Sequence, residues 1–131
     1  MRKLIRYKTV FRYDGGQKDN LDLKEIGRFD MVGDLYHIRF KGPEYMIDIR
    51  YNDHRVELRH GASCLYFEKD KDCTCDYELP FGTMKIKTHC DKLEGDERSL
   101  KFIYELYEQS ERVVRVYMMV TISETGEAPV S

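Results

Sequence analysis

Tryptophan is absent from the chain, proline occurs three times, and no apolar run approaches membrane-spanning length. A spanning helix needs roughly 20 consecutive apolar residues, and charges interrupt every hydrophobic stretch of this sequence. Positive charge at the N-terminus is repeated at Arg6, Lys8 and Arg12, so no signal-peptide core follows. Neither charge sign dominates: 24 acidic and 22 basic residues leave a formal net charge of −2. Nucleic-acid binders carry a basic excess or stripe, whereas here Lys and Arg alternate with Asp and Glu, so neither nucleic acid nor membrane is expected as a partner. Gly15-Gly16 lacks the Lys and helix of a phosphate-binding loop. No nucleophile-elbow sequence surrounds any serine.

What is present points to strands. Ten Tyr and six Phe suit a pleated, half-buried surface, and period-2 alternation is the dominant pattern. Ile5, Tyr7, Thr9, Phe11 and Tyr13 share a face, and Asp14-Gly15-Gly16 ends the segment with a polar loop running to Asn20. A weakly patterned strand over 22–32 contains Gly27, the mark of a bulge or a sharp bend. Tight turns at Gly33-Asp34, Gly42-Pro43 and Asn52-Asp53 separate strands around Tyr36–Phe40, Tyr45–Tyr51 and Val56–His60. Leu65–Phe67 alternates next, then Tyr77–Gly82 forms a corner into Met84–Thr88. A charged loop is expected over Asp91–Arg98. Leu100–Leu106 fits a helical stripe as well as a strand. The strand is preferred, because Val114–Ile122 supplies a pairing partner across a turn at Gln109–Glu111.

About nine consecutive hairpin-linked strands must hide their edges, and closure into a barrel does so. The expected fold is all-β: one antiparallel up-and-down barrel over 1–124 with a flexible tail at 125–131, and a two-sheet sandwich as the alternative. The Gly61, Phe67, Tyr77-x-x-Pro80-x-Gly82 and Thr88 spacing resembles the YwiB-like proteins. These are a calycin-type (lipocalin-like) barrel family of low-GC Gram-positive bacteria whose function is unknown. The resemblance covers nearly the whole chain and implies a bacterial, cytoplasmic barrel. It carries over no catalytic residue. Cys73-Thr74-Cys75 departs from the family pattern.

The candidate chemistry is sparse. Cys64, Cys73, Cys75 and Cys90 are expected to be reduced thiols in a cytosolic setting. Cys73 and Cys75 are the metal candidates, but C-x-C is not the usual zinc-ligand spacing, and no cofactor is expected. Carboxylates cluster in loops rather than facing one another across a cleft. His37, His54 and His89 fall in turns or out of phase with the core. The lumen remains: Tyr7, Thr9, Tyr51, His60, Thr88 and Tyr104 are polar positions on otherwise apolar inner faces, with Glu25 added if its strand keeps phase. An apolar cavity with a few convergent polar groups is how small-molecule sites are built, at roughly 300 Å³ or more. The same hydroxyls also suit a filled core in which they satisfy one another. Three functions follow in order: a non-enzymatic module binding a small apolar ligand in the lumen; a structural or interaction barrel with a filled core, dimerising through outward Val113, Tyr117 and Met119; and a hydrolase-like enzyme using His60 or Glu25.

Overall fold

The computed structural model describes residues 1–60 and 63–125; residues 61–62 and 126–131, and the side chains of His60 and Leu79, lie outside the described part. Ten strands follow one another: β1 (Arg2–Tyr13), β2 (Lys18–Val32), β3 (Leu35–Lys41), β4 (Met46–Tyr51), β5 (Arg55–His60), β6 (Ser63–Glu68), β7 (Cys73–Leu79), β8 (Gly82–Gly95), β9 (Ser99–Glu108) and β10 (Glu111–Glu124). They form one sheet in the order β6-β5-β4-β3-β2-β1-β10-β9-β8-β7. Every ladder is antiparallel, and the sheet curls into a nearly closed up-and-down barrel. The strand reading of Leu100–Leu106 holds: β9 pairs with β10 from Ser99 to Glu108.

Alternation builds the core. Ile5 and Tyr7 on β1, Ile38 and Phe40 on β3, Leu100, Phe102 and Tyr104 on β9, and Val114, Val116, Met118, Val120 and Ile122 on β10 are all buried. The turns obey local chemistry. Pro80-Phe81 links Leu79 to its partner Gly82, and Gly82 takes a φ of 146°. Gln109 and Ser110 both have positive φ, 48° and 70°, as a two-residue type I′ hairpin requires.

Two segments are longer than alternation foretells. β2 begins at Lys18, inside the expected loop, because Lys18–Leu21 pairs with Thr9–Arg12 of β1. β8 continues through the expected charged loop to Gly95. A register shift between Cys90 and Lys92 inserts one residue, and this turns Leu93 inward, where it is buried.

Gly27 sets the wall's shape. Its register with β1 runs on unbroken, Lys3 opposite Gly27, so it marks a close approach and not a bulge. A Cβ there would lie 2.5 Å from the Arg39 carbonyl oxygen and 2.9 Å from Phe40 Cβ. β2 pairs with β3 only over Arg28–Val32. From Lys18 to Gly27 the ladder on that side is open, and its edge carries Lys18, Asp19, Asp22, Lys24 and Glu25, charges of the kind that discourage edge-to-edge pairing.

Gly27→Ala forces this crossing apart and is expected to cost about 1–3 kcal/mol, the usual range for overpacking. Urea unfolding should show a lower midpoint with an unchanged slope. An unchanged midpoint would contradict the close approach.

Candidate functional site

Closure is completed by side chains rather than by a ladder. Among the described residues no backbone ladder joins β6 to β7. Instead the Cys75 sulfur accepts the Tyr66 N–H at 3.2 Å, and the Thr88 hydroxyl donates to the Tyr66 carbonyl at 2.5 Å. Ser63 Oγ accepts the Glu78 N–H at 2.9 Å. Buried backbone groups need such partners, so one hydroxyl and one thiol stand in for the missing strand contacts of Tyr66.

The interior is divided along its axis. At the end bearing the β4–β5 and β8–β9 turns, the Tyr51 hydroxyl donates to the Asp96 carbonyl at 2.7 Å. The Tyr51 ring leaves no room for a Cβ at Gly95, which would sit 2.7 Å from it. Phe67 meets Phe102 edge-on at 4.8 Å and Tyr104 at 4.5 Å between ring centroids. Tyr51, Phe67 and Phe102 are among the largest fully buried side chains and fill this part of the interior.

At the opposite end, under the β3–β4 turn, lies a cavity of about 220 Å³. Tyr7, Leu21, Ile47, Leu65, Tyr104 and Met118 line it, with Tyr45 and Tyr77 adding phenols toward the rim. It adjoins the stretch of β2 that lacks a β3 partner. Tyr104 is 5% exposed. Burial first, then the neighbouring phenols of Tyr7, Tyr45, Tyr13 and Tyr77, push its ionisation far above the ordinary tyrosine value. Tyr104 is therefore a neutral donor, and its hydroxyl has no hydrogen-bond partner among the described residues. Burial likewise raises Tyr7, beside Thr9. Thr9 Oγ1 is buried without a properly oriented partner.

Of the six lumen positions named from sequence, Tyr7 and Tyr104 line the cavity. Thr9 shares their face without lining it. Tyr51 and Thr88 point inward at other levels, where they serve the packed end and the β6–β7 seam. The His60 side chain lies outside the described residues. Glu25 stands opposite Ile5 but is exposed, since β3 has already swung away. Tyr45 and Tyr77 line the cavity in addition to the positions expected from sequence: Tyr45 shares the phase of Ile47 and Ile49, and Tyr77 precedes the corner at Pro80.

Asp48 and Arg59, opposite each other on β4 and β5, also border this cavity; the histidines and cysteines among the described residues do not line it. His37 Nε2 pairs with Asp48 at 2.7 Å and His89 Nδ1 with Asp72 at 2.7 Å; neither pair is hydrogen-bonded to a hydroxyl or thiol. All four cysteines are free. Burial raises the Cys64 and Cys75 thiols and pushes Cys90 up to about 11, so these three stay protonated and weakly nucleophilic near neutrality. No group of three or more His, Cys, Asp or Glu among the described residues is placed to hold a metal.

On the outer face of β8–β10, Glu105 is 8% exposed. Arg112 and Arg115 bind it at 2.9 and 3.2 Å. Burial opposes its charge, but hydrogen bonds from Arg112, Arg115 and Tyr107 outweigh it and hold the carboxyl below its usual range.

A nearly closed ten-stranded barrel with a partly hollow lumen defines the class of this protein. The chain belongs to the family described as Domain of unknown function (DUF1934), whose model matches residues 5–120. It is also similar to the crystal structure of ywiB protein from Bacillus subtilis, with a TM-score of 0.65 at 13% identity, covering 92% of this chain and 90% of that one. At that identity the likeness shows the shared barrel fold. No curated protein matches the chain.

Thr88→Val removes the donor to the Tyr66 carbonyl and leaves that acceptor unsatisfied, an expected loss of about 1–3 kcal/mol. Thr88→Ser should retain most of the stability, and amide exchange in β6 should quicken only in the valine variant. Equal stability of all three proteins would contradict the seam.

Proposed function

We propose that this barrel is a non-enzymatic cytosolic module that holds a small, largely apolar ligand in the cavity beneath the β3–β4 turn. The observation that carries the reading is the Tyr104 hydroxyl, which makes no hydrogen bond among the described residues and lines a mainly apolar cavity bordered by Asp48 and Arg59. That hydroxyl opens into the cavity, so a ligand bearing one acceptor would receive its hydrogen bond there. Tyr7 stands on the same wall, while Leu21, Ile47, Leu65 and Met118 supply the apolar contact.

Size narrows the ligand. The volume, about 220 Å³, is below the ~300 Å³ at which drug-sized sites begin and above the ~150 Å³ cavity that takes benzene. A one- or two-ring compound with a single polar group fits. Entry is from the same end of the barrel, where Tyr45, Met46 and the 87% exposed Phe81 present apolar surface. Four free cysteines suit a reducing compartment.

Dimerisation through Tyr117 and Met119 is less well supported. That apolar strip is rimmed by Lys8, Lys92 and Lys101, and a twofold contact would set lysines against lysines.

Native mass spectrometry of the protein isolated from its own host should show a non-covalent adduct of small-molecule mass. Ile47→Phe, which fills the cavity, should abolish the adduct, and Tyr104→Phe should weaken binding about fivefold, the value of one hydrogen bond. A protein that carries no adduct and shows no stabilisation by 2-naphthol would overturn the reading.

A further inference from the structure

The register across three strands aligns cations on the outside of the barrel. Arg12 on β1 stands directly opposite Lys18 on β2 and directly opposite Arg115 on β10. Residues opposite one another in a ladder share a face, so the three form a row, Lys18–Arg12–Arg115. Like charges in that relation repel. Outward Tyr117 draws two of them together: the Arg12 guanidinium lies 5.6 Å from its ring centroid and the Arg115 guanidinium 5.3 Å.

The row is unevenly neutralised. Arg112 is held by Asp14 at 2.8 Å and by Glu105, and Arg115 by Glu105 and by Asp91 at 2.5 Å. Arg12 and Lys18 have no carboxylate partner among the described residues. All four cations line one surface groove of about 470 Å³, together with Tyr13, Gly16, Gln17 and Tyr117, and no carboxylate lines it. Asp14, Asp91 and Glu105 bind the arginines from outside the groove, and this fixes the guanidinium groups in place. Guanidinium forks matched to oxyanion geometry are the usual means of holding a phosphoryl group.

We propose that this outer groove binds a small phosphoryl-bearing anion, a phosphate monoester or diphosphate, through Arg12 and Lys18, with Arg115, Tyr13 and Gln17 beside it. The site is separate from the lumen, since Arg12 faces away from the wall that Tyr7 and Thr9 line, and it stands whether or not the lumen is occupied. The anion relieves the repulsion in the row and supplies the counter-charge that the fold withholds from Arg12 and Lys18.

Isothermal titration of the full chain with inorganic phosphate, pyrophosphate and phenyl phosphate, against sodium chloride at matched ionic strength, tests this. Pyrophosphate is expected to bind and to raise the melting temperature. Phenyl phosphate binding tighter than inorganic phosphate identifies an organic ester as the preferred source, and the reverse order identifies the free anion. Arg12→Gln/Lys18→Gln should lower affinity at least about tenfold, the value of lost charge-assisted bonds. Its melting temperature without phosphate should be undiminished, because two repelling charges are gone. Lys18→Gln alone, at an exposed strand end, reads the same loss in smaller measure should the double variant fold poorly. Lys24→Gln, outside the groove, should bind as the parent does. No binding beyond the chloride control, or unchanged affinity in the Lys18 and double variants, overturns the proposal. So does an oligothymidylate that binds more tightly than pyrophosphate with a steep salt dependence, which would make this a nucleic-acid face.

Discussion

Closing the sheet between β6 and β7 is the constraint on which the rest of this barrel depends. Every other neighbouring pair in the strand order shares a backbone ladder; this one is joined by Ser63, Cys75 and Thr88. A hydroxyl and a thiol answer both backbone groups of Tyr66, which an open edge would leave to water or to another chain. That use explains why Thr88 and Cys75 are buried polar residues without being reactive ones. The wall also opens next to Gly27, where β3 crosses close to β2 and the ladder between them ends.

These two incomplete joints fall at different places around the wall, and the interior reflects them. Opposite the open stretch of β2 the lumen is hollow. At the far end Tyr51, Gly95 and the Asp96 carbonyl lock together, and Phe67, Phe102 and Tyr104 form a ring cluster between the halves. Tyr104 belongs to both parts: its ring packs into the cluster and its hydroxyl meets the cavity. Filled core and open pocket, alternatives from composition, occur here in one lumen at different heights. The DUF1934 family membership and the fold shared with the Bacillus subtilis protein place this arrangement on a known barrel without assigning it a task.

Most of the architecture was legible from alternation and turn residues, because both are local. The corner at Tyr77–Gly82, the Gly33-Asp34 hairpin and the β9–β10 pair are where period and punctuation put them. Leu93 was hidden because a bulge reverses the phase within a charged segment. The candidate site was legible only in part, for a geometric reason: alternation tells which face a side chain takes, not its height along the barrel axis. Tyr7, Tyr51, Thr88 and Tyr104 all point inward as their phase requires, yet only two reach the cavity. The cationic row was invisible for a related reason. Arg12, Lys18 and Arg115 are scattered in sequence, and only the register of three strands aligns them.

The central claim is that one end of the lumen is hollow and the other packed. A crystal structure under xenon pressure tests it most directly, since xenon enters apolar space irrespective of ligand chemistry. Xenon bounded by Leu65, Ile47, Met118 and the Tyr104 ring, with none among Tyr51, Phe67 and Phe102, is the predicted result. A lumen that takes up no xenon beneath the β3–β4 turn, or one that takes it up equally at both ends, would contradict the account.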